Sequence, residues 1–181
     1  MLALLRAGSR LAPKSLAPPF LGQKPRRMAY KPLYMEKPRP LTSQDGPLVW
    51  IDCEMTGLDF KKHKLLEIAV IITNGDLKRV DKGIDYVIRT DKADLDQMDE
   101  WCTRTHGETG LTKACLESEN GHDWVESTVL EYIKKWVPTQ RTAILAGSSV
   151  HFDRAFLAEH MPSLTDWLHY RIVGTSIHFP N

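Results

Sequence analysis

Apolar residues recur with two different periods between residues 46 and 173, and the succession of those periods sets out an order of elements. Leu48–Cys53 is a short apolar run that reads as a buried strand, and Leu65–Thr73 (LLEIAVIIT) is a second, rich in Ile and Val. Asn74-Gly-Asp76 is a turn signal, so these two runs and Ile84–Arg89 are expected to form an antiparallel meander. Asp91–Thr105 reads as a helix. Asp123 is placed to cap another helix that runs through Val125, Val129, Ile133 and Trp136 and stops before Pro138. Ala143–Gly147 is then a short strand, Phe152–His160 a helix ended by Met161-Pro162, and His169–Val173 a last strand. The pattern predicts an α/β domain with a mixed sheet, three antiparallel strands followed by α-β-α-β. No internal repeat or heptad interrupts it.

Composition adds a boundary. The 181 residues suit one domain with a tail, and 42% hydrophobic residues is ordinary for a globular chain. No window holds the roughly 18 consecutive apolar residues that a membrane span needs, so no membrane partner is expected. Cys53, Cys102 and Cys115 show neither C-x-x-C nor zinc spacing and read as buried thiols of a reducing compartment. The net charge of +1 hides two opposed segments. Residues 1–45 hold nine Lys or Arg against Glu36 and Asp45, while residues 46–181 hold 15 basic and 21 acidic side chains. Seven prolines precede Pro47, which argues against a folded core there. The opening Met1-Leu-Ala-Leu-Leu-Arg-Ala-Gly-Ser-Arg-Leu11 is basic, weakly amphipathic and free of acids, as in mitochondrial transit peptides. Residues 1–45 are therefore expected to be a presequence and linker, 46–173 the domain, and 174–181 an atypical tail. A start at Met28 or Met35 would give a cytosolic form.

The chemistry is concentrated at Trp50-Ile-Asp-Cys-Glu-Met-Thr-Gly-Leu58. Residues i and i+2 of a strand point to the same side, so Asp52 and Glu54 share a face at the end of a buried strand. Two such carboxylates repel unless a cation sits between them, and hard oxygen ligands suit Mg²⁺ or Mn²⁺. Taken alone, Asp-x-Glu is more often an accident of a solvated strand end. A second constellation, Gly147-Ser-Ser-Val-His-Phe-Asp-Arg-Ala-Phe156, places Asp153 near the start of a helix, where an acid also complements the helix dipole.

The string WIDCEMTGLD resembles the first motif of the oligoribonucleases, members of the DEDD group of 3′→5′ exonucleases. The resemblance runs through nearly all of residues 48–173. It includes Met98-Asp-Glu-Trp-Cys-Thr-Arg-Thr-His106 with Gly110-Leu-Thr, and Leu164 to Arg171 ending in His169-Tyr-Arg171. It implies a ribonuclease-H-like exonuclease fold and hydrolysis of short RNA from the 3′ end by two divalent ions. Asp52, Glu54 and Asp153 would be metal ligands. Leu58 would wedge beside a base, Trp101 and His106 would shape the pocket, and Ser149 and Arg171 would contact the far phosphate. Tyr170 would reach the active site of the neighbouring subunit, which implies a homodimer. Each residue also has a plain structural alternative: a core aromatic for Trp101, a helix end for His106, an edge strand for Tyr170 and Arg171.

Two departures from the family pattern stand out. Gly147-Ser148-Ser149 replaces the usual Gly-Asn-Ser. After His169-Tyr-Arg-Ile172 the family continues into an Asp-led segment, then a His followed five residues later by the fourth acid. This sequence reads Val173-Gly174-Thr-Ser176 and Ile177-His-Phe-Pro-Asn181 instead. The expectation is an incomplete domain whose C-terminal helices are missing, with impaired hydrolysis, or an inactive variant that binds short RNA or dimerises. His178 is not expected to serve as the base.

Overall fold

The computed structural model describes residues 33–175. The presequence, the internal start at Met28, Ser176 and His178 lie outside them. The elements are β1 (Leu48–Met55), β2 (Leu65–Thr73), β3 (Ile84–Val87), α1 (Lys92–Leu95), α2 (Glu100–Thr109), α3 (Leu111–Glu117), α4 (His122–Trp136), β4 (Ile144–Ser148), α5 (Val150–His160), α6 (Pro162–Trp167) and β5 (His169–Thr175). One five-stranded sheet has the order β3-β2-β1-β4-β5. β1–β2 and β2–β3 are antiparallel, whereas β1–β4 and β4–β5 are parallel. This is the mixed sheet that the hydrophobic pattern predicts.

Alternation along β1 sorts its side chains. Val49, Ile51 and Cys53 are buried, and Trp50, Asp52 and Glu54, half-buried, point the other way. The buried set joins Ile68, Val70 and Ile72 of β2, Leu145 of β4, Val125, Val129 and Ile133 of α4, and Phe156 and Leu157 of α5 in the main core. A smaller cluster of Leu66, Leu95, Met98, Cys102, Leu111 and Cys115 docks α1–α3 beside β2 and β3.

Several boundaries differ from the sequence reading, each for a local reason. The helix expected over 91–105 is two helices. Asp99 restarts the chain as an N-cap, its side chain accepting from the Cys102 amide at 2.7 Å. Gly110, at φ 82°, then separates α2 from α3, a helix the pattern did not predict. Met161-Pro162 ends α5 as expected, but Pro162 also opens α6, because proline at the first helical position forfeits no hydrogen bond. α4 begins at His122, so Asp123 lies in its first turn rather than at its cap. The segment 33–45, assigned to the linker, packs on the domain: Leu41 joins the core and its amide donates to Trp136 O at 2.6 Å.

Asp81, in the β2–β3 connection, holds α4 to the sheet. One carboxylate oxygen accepts from Tyr132 Oη at 2.7 Å and the Gly83 amide at 2.8 Å, the other from Trp136 Nε1 at 3.0 Å. Burial and this carboxylate push the Tyr132 phenol well up. Asp81→Ala leaves a phenol, an indole and an amide without their acceptor. It should cost about 2–4 kcal/mol in urea unfolding, while Tyr132→Phe, which removes one bond with its donor, should cost about 1 kcal/mol.

Candidate active site

Three elements converge where β1 ends. β4 runs parallel to β1, with Trp50 level with Ala146. This brings the β4–α5 turn beside Asp52. Gly147 makes the approach possible, since a Cβ there would lie 2.8 Å from Ile51 O. Ser149 follows in the left-handed region at φ 52°, turning the chain into α5. Asp153, one turn into that helix, accepts the Cys53 amide hydrogen on Oδ1 at 2.9 Å.

Asp153 is only 5% exposed. Burial, reinforced by the nearby Asp52 charge and opposed by the bond from the Cys53 amide, pushes its carboxyl up to about 6. The Cys53 thiol is raised by burial and by Asp153, Asp52 and Glu54 around it, so it stays protonated. Glu54 stands directly across the β1–β2 ladder from Glu67, which is 2% exposed. The strand register shifts immediately after this pair.

The expected ligand set is therefore present but not closed. Among the described residues, no group of three or more His, Cys, Asp and Glu side chains is gathered tightly enough to hold a metal ion. One oxygen of Asp153 is committed to the Cys53 amide, and Asp52 and Asp153 repel each other. The donor chemistry still fits a hard divalent ion. A buried carboxylate beside further carboxylates is the arrangement in which a cation restores the charged form.

Glu54 also opens into a cavity of about 770 Å³, lined by Leu58, His63, Asp99, Trp101 and His106 among others. Leu58 and Trp101, 68% and 61% exposed, stand out as apolar surfaces at its walls. His106 also lines the cavity, from a buried position. It is 3% exposed, and its Nε2 is 2.9 Å from Met55 O, so it braces the wall through the main chain. Asp99 is held below the usual carboxylate range by the Cys102 amide, and burial raises the Cys102 thiol to about 11, so neither is poised for proton transfer near neutrality.

Ser149, Tyr170 and Arg171 do not line that cavity. Ser149 is exposed at the β4–α5 turn, on the carboxylate side. Tyr170 and Arg171 lie exposed on the edge strand β5, the guanidinium 5.7 Å from the Tyr170 ring. Ile172 is level with Leu145, and Leu145 with Val49, three residues short of Asp52. Arg171, one residue further back and two strands across, thus sits roughly 13 Å down the strands from Asp52. Sequence reasoning missed Glu67 and His63. A lone acid inside LLEIAVIIT was a signal for the first; nothing in the spacing marked the second.

An exonuclease family profile matches residues 49–179. The chain is 49% identical over 130 residues to a probable oligoribonuclease of Schizosaccharomyces pombe, covering 72% of this chain and 52% of that protein. It is 42% identical over 148 residues to the mitochondrial oligoribonuclease of Saccharomyces cerevisiae, covering 78% and 55%. It is 38% identical over 136 residues to an oligoribonuclease of Vibrio cholerae, covering 75% of each. The chain spans about half the length of the two yeast relatives. The carboxylates at the end of β1, the acid on α5 and the Leu58–Trp101 cavity thus sit on a sequence that matches one group of nucleases from end to end of its sheet, and the chain belongs to the oligoribonuclease family of DEDD-type exonucleases.

Proposed function

We propose that the protein is a 3′→5′ exoribonuclease that degrades very short RNA to mononucleotides. The observation that carries this reading is the sharing of one cavity by Glu54 and the exposed apolar walls Leu58 and Trp101. Bases stack on such surfaces without regard to sequence, and the cavity has the volume of a small-ligand site rather than the length of a polymer groove. The acidic body of the chain supports the same reading, since capture of one or two nucleotides does not need a long basic track.

Asp52, Glu54 and Asp153 would hold the divalent ions, Mg²⁺ or Mn²⁺. Bound there, a pair of ions supplies the activated water and stabilises the leaving 3′ oxygen. The protein's own part is positioning. Leu58 and Trp101 fix the terminal base, and the Asp153–Cys53 bond fixes α5 against β1 so that the carboxylates face the scissile phosphate. Residues 1–181 contain no His followed five residues later by Asp. A polypeptide of only these residues is therefore proposed to bind short RNA and to hydrolyse it poorly.

Arg171 and Ser149 contacting the far phosphate, and Tyr170 completing a partner's site, belong to the same proposal. Tyr170, Ile172 and Val173 stand exposed on β5, which supports a homodimer built on that edge. The basic, acid-free opening of the chain supports a mitochondrial location, as does the yeast relative's name.

Purified protein incubated with a labelled RNA dinucleotide and Mn²⁺, beside a version extended with the family's C-terminal segment, tests the activity. The extended version should release mononucleotide about 10²–10⁴-fold faster, and chelation should abolish turnover. Equal rates would refute the importance of the family's His and of the acid five residues after it. Binding without turnover by the 181-residue chain supports the alternative, a short-RNA-binding or dimerising form.

Asp153 gives a second test. Its folded-state value, about 6, lies above that of an unfolded Asp, so the folded protein binds this proton more tightly. Metal-free stability should then fall as pH rises from about 4 through 6. Asp153→Asn escapes that loss and should be more stable than the parent at pH 7.5, by about 1–3 kcal/mol in urea unfolding. Added Mn²⁺ should stabilise the parent alone and reverse the order.

A further inference from the structure

Three imidazoles hold the main chain at the end of β1 and along the following loop that carries Leu58, and they do not hold it in the same way. His106 Nε2 lies 2.9 Å from Met55 O, and His160 Nε2 lies 2.8 Å from Phe60 O. His63 Nδ1 lies 2.9 Å from the Asp59 amide nitrogen. A carbonyl oxygen only accepts, so His106 and His160 carry their hydrogens on Nε2 and donate. A main-chain N–H only donates, so Nδ1 of His63 is bare and accepts. Protonation adds a hydrogen to whichever ring nitrogen lacks one. For His106 and His160 that is Nδ1, and their bonds to the loop survive. For His63 it is the nitrogen that receives the Asp59 hydrogen, and that bond is lost.

Elsewhere the loop is fastened by main-chain bonds: the Lys62 and His63 amides donate to Asp59 O at 3.0 and 2.8 Å, so the His63 ring holds the Asp59 amide alone. The ends of the loop are fastened to each other: the Thr56 amide donates to Lys64 O at 3.0 Å, and the Lys64 amide donates to Thr56 Oγ1 at 3.0 Å. The His63 ring fills the interior. A Cβ on Gly57 would fall 2.5 Å from Nδ1 and 2.8 Å from Nε2, so the imidazole lies directly against the glycine. Leu58 is flanked by that glycine and by Asp59, the residue His63 holds. Charged groups face the ring from each side. Asp59, on the same loop, is paired with Lys62 at 3.1 Å, and Lys61 and Lys64 flank the ring in sequence. Asp99 caps α2, while Glu54 of β1 and His106 of α2 line the shared cavity. Asp59 is held low by Lys62 and Asp99 by the Cys102 amide, and a charge on His63 would lower both slightly further.

We infer that His63 is a positioning residue whose bare Nδ1 latches the Asp59 amide and so sets Leu58 against Trp101. Acid releases this latch and leaves the other two bonds in place. The inference rests on reading the cavity as a short-RNA pocket. It adds a pH-sensitive adjustment of that pocket's wall, centred on a residue outside the metal-binding carboxylates. Loss of one such hydrogen bond should weaken RNA binding about three- to tenfold.

Two measurements on the full chain test it. In ¹H–¹⁵N spectra taken from pH 8 to pH 5, the Asp59 amide should shift and lose protection from exchange. In His63→Asn, whose Oδ1 offers a non-titrating acceptor at the same number of bonds from the main chain, it should stay fixed. Anisotropy with a fluorescein-labelled RNA dinucleotide should show binding that weakens about three- to tenfold over the same range. His63→Asn should lack that part of the pH dependence, and His63→Ala should bind weakly throughout. An Asp59 amide indifferent to pH, or an unchanged pH profile of binding in His63→Asn, overturns the latch and leaves the RNA reading standing. A parent protein that binds no dinucleotide at pH 8 overturns the RNA reading and, with it, the role given to the latch.

Discussion

The candidate site depends on one hydrogen bond that spans 100 positions of chain, from the Cys53 amide to Asp153 Oδ1. A main-chain amide cannot be repositioned by a rotamer change, so the bond locates α5 relative to the end of β1. It also explains why a carboxylate can be so deeply buried, because one lone pair is satisfied from the strand itself. Gly147 is the steric counterpart. Any side chain there would strike the Ile51 carbonyl and force β4, and α5 after it, away from the acids. Charge repulsion and close backbone approach are thus concentrated within a few residues.

Much of this arrangement was legible in the sequence, and the limits were local. Periodicity located all five strands and the antiparallel pairing of the first three, because β1 and β2 alternate or run apolar in ways that burial demands; the order of strands across the sheet came from the structure. It failed where one residue reversed a signal. Asp99 restarted a helix that looked continuous, and Pro162 opened a helix where a stop was expected. At the site, Asp52, Glu54 and Asp153 come to the same end of the sheet, and Leu58 and Trp101 share a cavity. The role of His106 was less legible, since a histidine's partner is a matter of three-dimensional packing; here that partner is a carbonyl 51 residues away. His63 was invisible for the same reason.

Two kinds of environment sit side by side around the cavity. Toward β1 and α5, burial raises Asp153 to about 6 and pushes the Cys53 thiol well up, so the charged carboxylate is costly there while the thiol keeps its proton. Toward α2, the Asp99 carboxylate is stabilised in its charged form by a helix N-terminus. Carboxylates of one chemical type are thereby divided between a buried acid at the strand end and a structural cap. What separates them is the water each has lost and the Asp52 charge beside Asp153.

The Thr56–Lys64 closure carries a consequence of its own. Because β1 and β2 leave and re-enter the loop at a single bonded pair, the register of the two strands that carry the acids is fixed before the loop begins. Within it, Gly57 and Phe60 are tied to His63 and His160, so a change of loop length alters the cavity wall rather than the strand pairing.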